Sequence, residues 1–153
     1  MDTPSSRLRA AGYELPGVPS PAGSYVPAVL AKSLVFTAGQ LPLVDGQLSH
    51  TGKVGDEVSL EEAVECARTC ALNALAAASA EAGGLDNLAR IIKVTGFVAS
   101  APGFNRQPEV INGASDLLAE VFGDAGKHAR SAVGVSELPL GAPVEVEIVA
   151  LVS

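Results

Sequence analysis

The sequence contains no tryptophan, one methionine, two cysteines and two histidines, and only 4% of its 153 residues are aromatic. Basic residues are also scarce, because ten lysines and arginines stand against seventeen acidic residues, a formal net charge of −7 with a pI near 4.7. Since no cluster of lysine or arginine occurs along the chain, binding to nucleic acid or to an anionic membrane surface is disfavoured. A chain of this length is expected to form one domain with its own core.

Other absences exclude whole classes of site. No apolar run approaches the ~20 residues of a membrane span, and the N-terminal residues lack the apolar core of a secretory signal, so a cytoplasmic location is expected. The glycine-rich nucleotide-binding motifs and the G-x-S-x-G motif are missing. No spacing of histidine, cysteine or carboxylate residues is typical of a metal site, so we expect neither a metal nor a cofactor. Cys66 and Cys70 are four residues apart in a helical stretch and are predicted to be buried, reduced thiols.

The first part of the chain differs from the rest. Prolines at four positions, with glycines between them, predict an irregular lead-in over residues 1–22. Residues 23–153 are predicted to form a single domain. The β-branched, apolar segment Ser33–Ala38 predicts a strand, and residues 39–48 predict a hairpin around the Asp45-Gly46 turn.

The remaining elements alternate between helix and strand. Ser59 and Glu62 have the spacing of a capping box and predict a helix over Leu60–Ala82 that ends at Gly83. A second helix is predicted over residues 108–122, and strands are predicted over residues 91–98, 130–136 and 144–152. The predicted order is therefore β-β-α-β-α-β-β, an α+β domain with both helices on one face of the sheet. Because the last strands are apolar in both alternation phases, the other face is expected to contact a second subunit.

Three polar side chains of the last strands have two competing interpretations each. Glu145 and Glu147 lie on one face of an otherwise apolar strand, which is typical of a solvated outer face. Alternatively, that face adjoins a neighbouring subunit, and a partly buried carboxylate with a raised pKa acts as a base. Arg130 opens the preceding strand, so it either pairs with Glu145 across a hairpin or binds a ligand carboxylate through its planar fork.

Three further positions are candidates on weaker grounds. Asn112 lies on the second predicted helix, where asparagine either marks a kink or faces a polar group. Tyr25 begins the ordered region and is either a core-edge residue or a ligand contact. Gly39 ends an apolar strand and leaves its backbone N–H approachable. His50 and His128 are interpreted as structural or solvent-exposed residues.

These segments together resemble the RidA/YjgF family, also called the L-PSP endoribonuclease family, from about Gly23 to Val152. No single segment is diagnostic, but their order and spacing are specific. The matching segments are Gly-Ser-Tyr25-Val, Phe-Thr-Ala-Gly39-Gln-Leu-Pro42, Ala-Leu-Asn73, Lys93-Val-Thr-Gly-Phe-Val98, Gly-Phe104 with Asn112, Ala-Arg130-Ser131-Ala-Val, Leu138-Pro139 and Val144-Glu145-Val-Glu147.

The resemblance implies a chorismate-mutase-like fold with a mixed sheet, assembled as a homotrimer with ligand sites in the clefts between subunits. Archetypal members hydrolyse reactive 2-imino acids to 2-keto acids and ammonia without a cofactor. By position, Arg130 would bind the substrate carboxylate, and Glu145 would orient and deprotonate the attacking water. The other implied pocket residues are Tyr25, Asn112 and the backbone at Gly39 and Ala132.

The sequence departs from the archetypal pattern at two pocket positions. Archetypal members usually carry a serine where this chain has Ala38 and often a cysteine where it has Ala132. The retained Arg130 and Glu145 favour an imine deaminase, whereas the two alanines favour a trimer that binds small carboxylates for a regulatory purpose. The ribonuclease activity in the family's other name fits poorly with a pI near 4.7 and no basic stripe.

Overall fold

A computed structural model describes residues 1–153 and contains three α-helices and seven strands. The helices are α1 (Pro4–Ala10), α2 (Leu60–Ala82) and α3 (Gln107–Phe122). The strands are β1 (Ala28–Ala31), β2 (Leu34–Thr37), β3 (Leu43–Val44), β4 (Gln47–Leu48), β5 (Leu88–Ala99), β6 (Ala129–Val135) and β7 (Val144–Val152). Short 3₁₀ turns occupy Leu85–Asn87, Gly123–Gly126 and Pro139–Gly141.

Five strands form the main sheet in the order β1-β2-β7-β5-β6. The β5–β6 pair is parallel and the other pairs are antiparallel, so the sheet is mixed, as expected. The prediction that consecutive strands β6 and β7 lie side by side is wrong, because β5 lies between them. Their connection passes the end of β5, where the Ala99 N–H donates to the Pro143 carbonyl at 2.9 Å.

The N-terminal strands differ from the predicted arrangement. The predicted Asp45-Gly46 hairpin is present, but β3 and β4 form a separate two-stranded sheet. The first strand of the main sheet is instead β1, which was not predicted, and it pairs with β2 through a two-residue turn at Lys32-Ser33. Lys32 adopts a left-handed φ of 56° in this turn. A glycine or asparagine at this position would have indicated a hairpin turn in the sequence, whereas a lysine does not.

Part of the predicted irregular lead-in is helical, so that prediction is wrong for α1. Thr3 caps the helix and forms a capping box with Ser6, and Pro4 occupies the first turn, where proline costs no hydrogen bond. Leu8 is buried against the core, and the Asp86 carboxylate accepts hydrogen bonds from the N–H and hydroxyl of Ser5. Residues 13–21 contain no regular element, as the prolines indicate.

Helices α2 and α3 cover one face of the main sheet, and the capping residues predicted for α2 are confirmed at both ends. Small residues bring the helices close to each other and to the sheet. A Cβ at Gly113 would collide with the Val64 carbonyl of α2, and a Cβ at Gly96 of β5 would collide with Ile111 of α3. This close approach fixes the position of α3 relative to β5 and its neighbour β6.

The opposite face of the sheet carries no helix and exposes apolar side chains. Phe36 and Val133 on this face are 45% and 44% exposed.

No helix of the protein has the length and apolar character needed to span a bilayer. Cys66 and Cys70 are free and buried, as predicted, and burial raises the pKa of both thiols.

Candidate functional site

Arg130 lies on the edge strand β6 and on the face of the sheet that α3 covers. Its Nη1 donates to Asn112 Oδ1 at 2.8 Å and to Ser115 Oγ at 3.2 Å, and its Nη2 donates to the Pro108 carbonyl at 3.4 Å. All three acceptors are uncharged and belong to α3. No carboxylate of the chain forms an ion pair with this guanidinium.

These bonds leave one edge of the Arg130 guanidinium free to bind an anion. A guanidinium has five N–H groups, and Nε–H and one Nη2–H of Arg130 have no acceptor. Nε and Nη2 form the fork that binds a carboxylate through two parallel bonds. The chain uses this fork in two surface ion pairs, Arg7 with Asp2 at 2.9 and 2.7 Å and Arg106 with Glu109 at 2.8 and 2.6 Å.

Two other candidate residues lie beside Arg130. Asn112 faces a polar group rather than marking a kink, because α3 is continuous and the Asn112 amide oxygen accepts from Arg130. Ala132 is two residues from Arg130 on the same face of β6 and packs against the core. We refer to Arg130, Asn112, Ser115 and Ala132 as the Arg130 cluster.

Glu145 lies on β7 and points to the face of the sheet without helices, next to Phe97 of β5. Its side chain is half-buried and has no hydrogen bond or ion pair within the chain. Burial raises the pKa of the Glu145 carboxyl, and the negative charge of Glu147 raises it further. Of the two interpretations of this strand, the partly buried carboxylate therefore describes Glu145 better than a solvated face does.

Gly39 makes room for the Glu145 carboxylate. After β2 the backbone continues beside β7, where the Gln40 N–H donates to the Val146 carbonyl at 2.8 Å and the Val146 N–H donates to the Gln40 carbonyl at 3.0 Å. A Cβ built on Gly39 would lie 2.7 Å from Glu145 Cδ and closer still to its Oε2. The carboxylate can therefore lie against the backbone only because residue 39 has no side chain.

Tyr25 lies on the same side of the molecule as Gly39. The two residues line a cavity of about 560 Å³ together with residues 16–22. The Tyr25 ring is partly exposed, and its hydroxyl oxygen accepts a hydrogen bond from the Ala22 N–H at 3.1 Å. Glu145 is not among the residues that line this cavity, so the structure brings Gly39, but not Tyr25, against the Glu145 carboxylate. We refer to Glu145 and Gly39 as the Glu145 cluster.

The two clusters lie on opposite faces of the sheet of one chain. Arg130 is in register with Val94 of β5, whereas Glu145 is in register with Phe97, three residues along the same strand. Since side chains alternate between faces, an odd separation places them on opposite sides. The ion pair between Arg130 and Glu145, which was one interpretation of the sequence, is therefore not formed.

Ser115 is a member of the Arg130 cluster that the sequence did not indicate. It lies in the middle of α3, one turn after Asn112, with no motif around it. Its contact with Arg130 depends on the parallel pairing of β5 with β6, which brings Arg130 under α3. A serine at helical spacing from an asparagine is the only signal, and that spacing predicts a shared helix face but not what the face contacts.

Comparison with known proteins gives consistent similarities over nearly the whole chain. The family model described as "YjgF/chorismate mutase-like, putative endoribonuclease" matches residues 5–151. Protein TCP17 of Trypanosoma cruzi is 42% identical over 144 residues, which is 94% of this chain and 90% of that protein. The crystal structure of Atu1372 from Agrobacterium tumefaciens is similar with a TM-score of 0.90 at 42% identity, covering 98% of this chain and 92% of that one. The structure of E. coli TdcF with bound serine has a TM-score of 0.67 at 27% identity, covering 89% and 94% of the two chains.

Proposed function

Because the chain belongs to the YjgF/chorismate mutase-like family, we propose that it hydrolyses small 2-imino acids to 2-keto acids and ammonia. Membership of the family supports a small-molecule or endoribonuclease-like role. The observation that carries the finer proposal is the pairing of a free carboxylate-binding edge on Arg130 with a half-buried, unpaired carboxylate at Glu145. An anion-binding group and a base of raised pKa are what the hydrolysis of a charged imine requires.

The active unit in this proposal is a homotrimer with its sites between subunits. The two clusters lie on opposite faces of one chain, so a site that contains both groups requires Arg130 from one protomer and Glu145 from another. The apolar face of the sheet, with Phe36 and Val133 exposed, supplies the surface that such an assembly would bury. A related protein, TdcF, binds serine, which is a small α-carboxylate like the proposed substrates.

The reaction proceeds by addition of water to the protonated imine. Glu145 accepts a proton from water while the water oxygen bonds to C2 and the electron pair of the C=N bond moves to nitrogen. The proton returns to that nitrogen, the C–N bond breaks as the hydroxyl oxygen forms the C=O bond, and the hydroxyl proton leaves with ammonia as ammonium. The Arg130 fork holds the substrate carboxylate throughout, so C2 stays within reach of the water. A protonated imine is already electrophilic, so the chemistry needs only an oriented water and a base.

The trimer can be tested independently of activity. Size-exclusion chromatography with light scattering is expected to give three times the chain mass of 15.4 kDa. Phe36→Asp places a charge on the apolar face that trimer formation would bury, and it is expected to shift the mass toward one chain. Val44→Asp is a matched control, because Val44 is similarly exposed but lies on the separate two-stranded sheet of β3 and β4. A wild-type monomer would remove the site between subunits.

The function is tested by a coupled assay. An amino-acid oxidase generates a panel of 2-imino acids, and semicarbazide traps the imine that escapes hydrolysis. The protein is expected to lower the yield of semicarbazone in proportion to its concentration, most strongly for the small substrates 2-iminopropanoate and 2-iminobutanoate. A semicarbazone yield equal to that of buffer, from protein that chromatographs as a trimer, would contradict the proposal.

One alternative has a specific observation in its favour. Ala38 and Ala132 remove a hydroxyl and a thiol from the pocket, each able to hydrogen-bond a ligand or water, which favours a trimer that binds a small carboxylate without turnover. In that case 2-oxobutanoate would raise the melting temperature although no imine is hydrolysed.

A ribonuclease would instead show salt-sensitive RNA binding, which the net charge of −7 opposes. The proposal includes a cytoplasmic location.

A further inference from the structure

His128 and Ser115 form a hydrogen-bonded chain that ends on Arg130. His128 Nδ1 lies 2.6 Å from the Gly126 carbonyl oxygen, and His128 Nε2 lies 2.9 Å from Ser115 Oγ. Ser115 Oγ in turn accepts from Arg130 Nη1 at 3.2 Å. This series of hydrogen bonds therefore links the 3₁₀ turn Gly123–Gly126 to His128, which directly precedes β6, and continues through the middle of α3 to the Arg130 guanidinium.

The partners determine where each hydrogen lies. A carbonyl oxygen only accepts, so the ring nitrogen facing Gly126 must be Nδ1–H. In the neutral ring Nε2 is then an acceptor, and the Ser115 hydroxyl must donate to it. Because the Ser115 hydroxyl hydrogen is directed at His128 Nε2, the Ser115 oxygen is left to accept the hydrogen bond from Arg130 Nη1. Burial lowers the pKa of His128, the hydrogen bond to the Gly126 carbonyl opposes this shift, and the positive charge of Arg130 lowers the pKa further. Because the net shift is downward from the ordinary value for histidine, the neutral ring predominates at neutral pH.

We propose that His128 and Ser115 are positioning residues that hold the Arg130 guanidinium with its carboxylate-binding edge exposed. Nη1 is fixed from two sides, by Asn112 and by Ser115, which stops rotation of the guanidinium plane about the side chain. His128 acts only through Ser115, because its ring makes no hydrogen bond to Arg130 itself. The structural part of this inference concerns the free protein, and its effect on ligand binding rests on the proposed function.

The first test measures the tautomer and needs no ligand. The chain has only two histidines, so His50→Gln leaves His128 as the single imidazole in a ¹⁵N NMR spectrum. Above the pKa of the ring, the Nδ1–H tautomer with an unprotonated Nε2 is expected. The Nε2–H tautomer, which free histidine prefers, would overturn the inference, because Nε2 could not then accept from Ser115.

The second test asks whether Ser115 holds the guanidinium. Distinct, slowly exchanging Nη resonances are expected for Arg130 in the wild-type protein, assigned by their absence from Arg130→Lys. They are expected to merge in Ser115→Ala and to persist in Thr69→Ala, where the lost hydroxyl bonds only to the Glu65 carbonyl within α2. Resonances that are unchanged in Ser115→Ala would overturn the inference whether or not any ligand binds.

The third test measures the effect on the proposed site, with 2-oxobutanoate as the probe in calorimetry. Ser115→Ala is expected to weaken binding about three- to tenfold, the effect of one hydrogen bond, and in the imine assay to raise KM with kcat unchanged. His128→Ala is expected to weaken binding less, and the double variant no more than Ser115→Ala alone. Additive losses would overturn the statement that His128 acts through Ser115. Failure of the wild-type protein to bind the probe would count against the proposed function and leave the two NMR results to decide the positioning role.

Discussion

Glu145→Gln is expected to lower kcat for imine hydrolysis by about 10²- to 10⁴-fold, the usual contribution of a general base. Glutamine keeps the size of the side chain and its fit against Gly39 but cannot accept a proton from water. KM is expected to change little, because the substrate carboxylate is held by Arg130 on the other cluster. Steady-state kinetics on the purified trimer measure both constants.

The matched control is Glu147→Gln, which removes a carboxylate two residues along the same strand and on the same face. Glu147 raises the pKa of Glu145 by its negative charge. The control is therefore expected to keep most of the activity and to shift the acidic limb of the kcat/KM profile to lower pH. Equal losses in the two variants would contradict the assignment of Glu145 as the base.

The pH dependence of stability has a sign that follows from the raised pKa of Glu145. A carboxyl whose pKa is higher in the folded protein than in the unfolded chain stabilises the fold fully below the unfolded pKa, and this contribution is lost as pH rises through the folded pKa. At pH 7 the ionised, half-buried Glu145 therefore lowers the free energy of unfolding. Glu145→Gln is expected to unfold at a higher urea concentration than the wild-type protein at pH 7, with the difference vanishing below about pH 4. A variant both inactive and less stable at pH 7 would indicate lost structure rather than a lost base.

Local chemistry made some elements predictable from the sequence alone. The bounds of α2 coincide with the prediction because Ser59, Glu62 and Gly83 each determine a terminus through their own backbone contacts. The bounds of β7 coincide because an apolar, largely β-branched run, interrupted only by Glu145 and Glu147, extends over Val144–Val152. By contrast, β1 and α1 were missed, since a lysine in a left-handed turn and a short helix among prolines leave no such signal.

The assembly of the site could not be predicted in the same way. Arg130 and Glu145 were both candidates, but whether they meet depends on strand order, and β5 between β6 and β7 is a tertiary outcome that no local pattern encodes. The contact between Gly39 and Glu145 likewise depends on the backbone running beside β7 after β2. The sequence also does not reveal the contacts of His128, because its partners Ser115 and Gly126 are brought to it by the packing of α3 and by a 3₁₀ turn.

Arg130→Ala is expected to weaken binding of 2-oxobutanoate about 10- to 150-fold, since hydrogen bonds to a charged group are worth about 1.5–3 kcal/mol. The variant loses the charged group that is proposed to recognise the carboxylate, so KM for imino acids is expected to rise as well. The fold is expected to be retained, because Arg130 forms no ion pair and its acceptors Asn112 and Pro108 can bond to water instead.

Arg130→Lys separates charge from geometry. Lysine keeps the positive charge but has no planar fork, so its single ammonium cannot donate to Asn112 and Ser115 on one side and also hold a carboxylate through two parallel bonds on the other. Its affinity is expected to lie between those of the wild type and Arg130→Ala, with a steeper dependence on salt because only the unspecific attraction remains. Arg106→Ala is the control, since Arg106 is exposed beside the start of α3 and already occupied by Glu109. If Arg130→Ala bound 2-oxobutanoate as tightly as Arg106→Ala, the carboxylate would have to be recognised elsewhere, and the free edge of Arg130 would have no part in the site.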